Sequence, residues 1–268
     1  MSGPIIISTN NATTWRKINV ASYGQTVPQI PQTGAIVPHD PFFSNVVLLD
    51  GFEGANGSTG APGMTDESPA AHGTATVAGA TIDTSQFKFG TSSAHLVAAS
   101  SGIIWWNTST DWVFGSGLFT VETWVMFNTV PGALQFMVAD WTSTAGAAGW
   151  YFGVDATGNL SWTVSTTGSN TLNDITAAWS PSTGVWYFVT VDFDGIKYRA
   201  YINGVTVGSS TTLRTIFNPG VHLALGSNSL GTSFHFDGWL DETRITKGVA
   251  RYATDTSFAV PTAAFPRS

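Results

Sequence analysis

Carboxylates are the first side chains to weigh, because hydrolysis of a glycosidic bond takes two of them, projecting from one face on either side of the scissile bond. The sequence offers no such pair. Glu122 stands alone in its apolar run, and Asp241 and Glu242 are adjacent, so on a strand they point to opposite faces. Asp194 follows Asp192 by two residues but belongs to a turn signal. The five histidines, His39, His72, His95, His222 and His235, lack the spacing by which a helix presents two ligands to zinc, and neither a nucleophile elbow nor a phosphate-binding loop is present. The absence of cysteine removes thiolate metal sites and disulfides. On these grounds the chain is expected not to be an enzyme.

Hard oxygen ligands and aromatic rings are what remain. The oxygen-rich segments around Glu53, Asp66 and Asp241 suit a structural calcium ion, and no other cofactor is expected. The alternative is that Asp66 caps a turn and Asp241 accepts backbone hydrogen bonds from the first strand. Trp105, Trp106, Trp141, Trp150 and Trp179 fall at strand ends or in loops, where an indole face could stack on a sugar ring. With 11 tryptophans in the chain most must be core, and Trp124, Trp186 and Trp239 are expected there. Packing against another subunit competes with sugar binding for the loop tryptophans.

Such side chains need a scaffold, and the composition selects its class. Hydrophobic residues make up 43% and charged residues only 10%, with 29 Gly and 12 Pro, a balance that favours short strands joined by tight turns. Strand patterns occur at 46–49, 93–98, 118–127, 134–141, 150–155, 160–165, 186–193, 196–202, 222–225 and 239–245, separated by Gly, Asn and Asp. The spacing indicates an all-β sandwich or barrel.

The stretch from Val185 carries two hairpin signals, Asp194-Gly195 and Asn203-Gly204. A two-residue turn at the first pairs Phe193 with Ile196, Val191 with Tyr198, Val189 with Ala200 and Tyr187 with Ile202 on a buried face. The other face then places Asp192 opposite Lys197 and Thr190 opposite Arg199 as a polar exterior. The second turn pairs Ile202 with Val205 and Ala200 with Val207.

Several motifs in order, FTVETWV from Phe119, GVWYFVTV from Gly184, YINGVTVG from Tyr201, LALGSN from Leu223 and FDGWLDETRITKGVARY from Phe236, resemble the laminin-G-like jelly-roll domains of the concanavalin A-like superfamily. The resemblance covers about residues 42–267 and implies a two-sheet antiparallel jelly-roll sandwich whose termini lie close together. In enzymes of that superfamily the acids stand at alternate positions of one strand, a run this sequence lacks. The family pattern places acids at Glu53, where Asp is usual, and at Asp241, often around calcium. The opening VVLLDGFEGANGST, the later QFKFGTSSAHL and the closing RITKGVARY with FAVPTAAFP are similar to the form found in tailed-phage virion proteins. That form implies a non-enzymatic virion structural protein, a capsid decoration or cement subunit, with a carbohydrate-binding module of a tail or fibre as the alternative. Its partners would be other virion proteins, further copies of itself such as a trimer, and a host-surface glycan.

Residues 1–43 form a separate N-terminal segment. Pro4, Pro28, Pro31, Pro38 and Pro41 interrupt it, so it reads as an extended assembly arm, with one short strand at residues 5–7, or as a loose leader. Ile5, Ile6, Ile7, Trp15 and Tyr23 are its side chains for gripping a neighbour, and residues 44–268 hold the sandwich. The net charge of -7 disfavours nucleic acid and anionic membranes, and no stretch is long and apolar enough for membrane insertion. The N-terminus lacks a signal peptide, which fits assembly in a host cytoplasm into a virion.

Overall fold

Apolar runs broken by turn residues satisfy their backbone groups by pairing with one another. In the computed structural model, which describes residues 39–268, they do so as fifteen strands. These are β1 (Val46–Asp50), β2 (Thr76–Ala78), β3 (Ala80–Asp83), β4 (Ser93–Leu96), β5 (Ile103–Trp106), β6 (Phe119–Phe127), β7 (Gln135–Trp141) and β8 (Ala148–Val154). They continue with β9 (Leu160–Val164), β10 (Leu172–Ala177), β11 (Trp186–Phe193), β12 (Tyr198–Ile202), β13 (Val205–Ser210), β14 (Leu223–Leu225) and β15 (Gly238–Lys247). One sheet runs β13-β12-β11-β6-β15-β4-β3 with β1 also paired to β15, and the other runs β10-β9-β8-β7-β14-β5-β2. The result is an antiparallel jelly-roll sandwich.

The strands expected from residue 46 onward are all present with ends moved by a few residues, β2, β3, β5 and β10 are additional, and the strand expected at residues 5–7 lies outside the described residues. The extra strands are short, and β2, β3 and β10 lie at sheet edges, where half-exposed polar positions blur the alternation. The first hairpin corrects the expected register by two residues: Phe193 pairs with Tyr198, Val191 with Ala200 and Val189 with Ile202. The cause is Asp194, whose Oδ1 accepts the N–H groups of Ile196 and Lys197 at 2.8 Å each and so widens the loop to four residues. An even shift keeps each side chain on its face. At the second turn Ile202 meets Val205 as expected, but a bulge then sets Ala200 opposite Gly208 instead of Val207.

Between the sheets lies a continuous core that includes Trp106, Trp112, Trp150, Trp162, Phe119 and Phe152. A second apolar layer covers the far face of the eight-stranded sheet, where Val46, Leu49, Trp124 and Phe188 are packed under Tyr252, Phe258, Val260 and Phe265 of the C-terminal segment. This strap overturns the expected polar exterior: Thr190 and Asp192 are fully buried and Arg199 is nearly so. Lys197 and Arg199 turn to Asp255 of the strap at 3.0 and 2.8 Å. Asp192 accepts the N–H groups of Tyr252 and Ala253 at 3.3 and 2.7 Å.

The strap is also held by buried ions. Arg251 donates to both carboxylate oxygens of Asp40 at 3.0 and 2.8 Å, Arg244 reaches Asp40 at 3.0 Å and Glu122 at 2.7 Å, and the Tyr252 hydroxyl donates to Glu122 at 2.6 Å. Asp40 further donates its N–H to the carbonyl of Ser268 at 2.9 Å. The folded body therefore starts before the expected boundary at residue 43, because Asp40 belongs to its ionic network. The arm residues Ile5, Ile6, Ile7, Trp15 and Tyr23 lie outside the described residues.

Candidate functional site

Alternation on two neighbouring strands builds an aromatic patch on the outer face of the seven-stranded sheet. In β8, Trp150, Tyr151 and Phe152 are consecutive, so Trp150 and Phe152 enter the core and Tyr151 emerges on the other side. In β7 a register shift between Phe136 and Val138 sends both Met137 and Val138 inward, leaving Phe136, Ala139 and Trp141 outward. Phe136 stacks on Tyr151 with centroids 4.0 Å apart, Phe234 packs on Phe136 at 4.6 Å, and Trp141 meets Tyr151 edge-on at 5.4 Å.

Two loops wall this patch. The β7–β8 turn is closed by the Thr142 N–H to Ala147 carbonyl bond at 2.8 Å and tied to the β9–β10 loop by the Gly146 N–H donating to Ser169 Oγ at 2.9 Å. In the second loop Asn170 Oδ1 accepts the N–H groups of Thr166 and Thr167 at 2.9 and 3.1 Å. Gly168 there has φ +80°, and a Cβ on it would stand 2.6 Å from the Phe217 ring, so only glycine fits.

The product is a cleft of 320 Å³ with Leu134, Phe136, Trp141, Tyr151 and Phe234 as its apolar floor. Thr142, Ser143, Thr144, Ser169 and Thr171 form its rim. Its volume falls at the lower end of ligand sites, which run from roughly 300 to 1,000 Å³. No charged side chain lines it. Burial pushes the Tyr151 hydroxyl above its usual range, with hydrogen bonds to Thr163 and Ser161 opposing, so it stays neutral at physiological pH. The cleft can stack on a ring and exchange hydrogen bonds with hydroxyls, and it holds no acid, base or activated nucleophile.

The anticipated tryptophans separate. Trp141 lines the cleft, whereas Trp105 is half-buried on β5, separated from β7 by β14, its cross-strand neighbours being Ala224 and Thr76. Trp106 and Trp150 are core side chains whose indole N–H groups donate to the carbonyls of Gly73 and Trp112 at 3.0 and 2.9 Å, so they offer no ring face to a sugar. Trp179 packs against Phe127 and Tyr187. Of those expected in the core, Trp124 is buried beneath the strap, whereas Trp186 and Trp239 are half-buried, Trp239 being stacked on His95 at 4.4 Å. Phe136, Tyr151 and Phe234 were not anticipated. Three consecutive aromatics in β8 are the signal that at least one faces away from the core.

The three carboxylates considered for calcium do not gather as one set: Glu53 and Asp241 both hold the 88–91 loop, and Asp66 is bound elsewhere. Asp66 spends both oxygens on the N–H groups of Leu49, Ser68 and His72 and the Ser68 hydroxyl, at 2.9 to 3.0 Å. Glu53 is bound to Thr91 through its N–H and hydroxyl. Asp241 Oδ2 accepts the N–H groups of Lys88 and Phe89, from the β3–β4 connection and not from the first strand, at 2.7 and 3.0 Å, while its Oδ1 is buried without a partner. Among the described residues no three acidic or histidine side chains are grouped to hold a metal ion. Burial pushes Asp192 up to about 6 and Asp241 up to about 7, and raises Asp50 and Asp140 well above the carboxylate range. None of these four lines the cleft.

Residues 99–252 match the laminin G family model described as concanavalin A-like lectin/glucanases superfamily. No curated protein matches the chain. Among solved structures, the binding domain of Paraclostridial Mosquitocidal Protein 1 is similar at 17% identity with a TM-score of 0.57, over 79% of this chain and 51% of that one. The binding domain of botulinum neurotoxin serotype G is similar at 16% identity and a TM-score of 0.53, over 77% and 49%. This chain thus spans about half the length of those toxin domains. Domain 4 of AbnA, an extracellular arabinanase from Geobacillus stearothermophilus solved with arabinotriose, is similar at 20% identity and a TM-score of 0.50, over 66% and 83%.

Proposed function

The chain belongs to the concanavalin A-like lectin/glucanases superfamily, and on that footing we propose that it is a non-enzymatic carbohydrate-binding module whose site is the cleft on the outer face of the seven-stranded sheet. The observation that carries this reading is the pairing of a stacked aromatic floor with an uncharged hydroxyl rim. Aromatic rings take the apolar face of a sugar, and Ser and Thr hydroxyls both donate to and accept from sugar hydroxyls. The AbnA domain, of the same fold, was solved holding an oligosaccharide. Catalysis is disfavoured by the carboxylates: Glu122 is fully buried in the ion pair with Arg244, and no acid lines the cleft.

A glycan array tests the proposal with the wild type and Ala145→Trp, a substitution at an exposed cleft residue that fills the mouth without entering the core. Binding of at least one glycan, lost in the variant, is the expected result. Binding that survives Ala145→Trp would place the site elsewhere.

A second, finer reading sets this module on a bacteriophage particle, as a capsid decoration or cement subunit or a tail adhesion module. It would assemble in the host cytoplasm as a homo-oligomer such as a trimer, anchored by its N-terminal arm. What favours it is the run RITKGVARY with FAVPTAAFP, similar to tailed-phage virion proteins. Deleting residues 1–37 spares the Asp40 ionic network, so particle binding retained by that variant would refute the arm as anchor. Light scattering would read the oligomeric state.

A further inference from the structure

Resting on the saccharide reading of the cleft, we propose that the site is selective for uncharged saccharides and rejects glycans bearing a carboxylate or sulfate. The rim hydroxyls of Thr142, Ser143, Thr144, Ser169 and Thr171 are neutral, and so is the floor beneath them. A saccharide anion entering the cleft would shed water and gain no counter-charge, and an ion moved to a partly enclosed site without a partner is penalised.

The lysines and arginines among the described residues are committed elsewhere. Among the described residues, Lys197, Arg199, Arg214, Arg244, Arg251 and Arg267 are each within 3.0 Å of a carboxylate. Lys88 lies over the Trp124 ring at 4.1 Å, and the Lys247 ammonium donates to the Thr110 carbonyl at 2.6 Å. None of them lines the cleft. The net charge of -7 adds a long-range field that lowers the local concentration of anionic glycans. Neutral sugars feel none of this, and their hydroxyls match a rim that can act as donor or acceptor.

The test uses the full chain and one neutral oligosaccharide that scores on the array, compared by calorimetry with its sialylated and uronic-acid counterparts of equal length. The anionic forms should bind at least about tenfold more weakly, a difference of about 1.4 kcal/mol. Thr171→Lys, which adds a cation at an exposed rim position, should narrow that gap several-fold, while Thr171→Gln should leave it unchanged. Anionic and neutral forms binding alike to the wild type would overturn the selectivity and leave the saccharide site standing. A wild type that binds neither class would overturn the saccharide reading itself, and the selectivity with it.

Discussion

Removing the Arg251 guanidinium should loosen the C-terminal strap, and the size of the effect follows from what is left behind. Arg251 and Asp40 have side chains only 7% and 3% exposed, and Arg251 supplies two of the three arginine contacts to that carboxylate. In Arg251→Ala the Asp40 carboxylate keeps the Phe42 N–H and, of its arginines, only Arg244, which is already shared with Glu122. Breaking one member of a buried ion pair costs about 3–5 kcal/mol. For a body of this size each kcal/mol lowers Tm by about 2–4 °C, so a fall of about 6–20 °C is expected in thermal unfolding followed by circular dichroism. Asp40→Asn combined with Arg251→Ala should cost less than the sum of the single changes, because no charge is then stranded, with a coupling of about 0.5–3 kcal/mol. A fall of less than about 2 °C in Arg251→Ala would refute the idea that this ionic network holds the strap.

Asp192 is raised in the folded state to about 6 by burial, with hydrogen bonds from Ala253, Tyr201 and Tyr252 opposing. The folded chain therefore holds this proton more tightly than the unfolded one, so the associated stability is fully present below the unfolded carboxylate pKa and lost as pH rises through about 6. Denaturant midpoints should accordingly rise between pH 7 and pH 4 by an amount that Asp192→Asn reduces. Gly204→Ala should lower Tm, since φ is +77° and the new Cβ would lie 2.3 Å from the Phe258 carbonyl oxygen. Saccharide affinity should be flat from about pH 5 to 8, because the titratable Tyr151 stays neutral there, and a tenfold change across that range would contradict an uncharged cleft. Calcium should leave Tm unchanged, given that Asp66 is saturated by hydrogen bonds and Glu53, Asp66 and Asp241 do not form a set of three; a rise of several degrees that Asp241→Asn abolishes would instead locate a cation at Asp241 Oδ1.

The sandwich was readable because its long strands carry their burial pattern in alternation, and the meander from β11 to β13 announces its turns. Its register was not, since the widening of the first loop depends on one carboxylate, Asp194, bonding two backbone N–H groups. Thr190, Asp192 and Arg199 look like a wet surface in sequence, and only the tertiary path of residues 249–265 buries them. The cleft was half legible. Trp141 stood out by residue type, whereas Phe136 and Tyr151 reach the outer face through a bulge and through simple parity in a run of three aromatics. Trp106 and Trp150 misled because a strand end says nothing about which face a ring takes.

The most direct test of the account is where a saccharide touches the protein. Backbone amide resonances should be followed by nuclear magnetic resonance while a neutral oligosaccharide that scores on the array is titrated into the full chain. Shifts should concentrate at Thr142, Ser143, Thr144, Tyr151, Ser169 and Thr171, which line the cleft. Shifts confined to the eight-stranded sheet, or none at any residue, would contradict it.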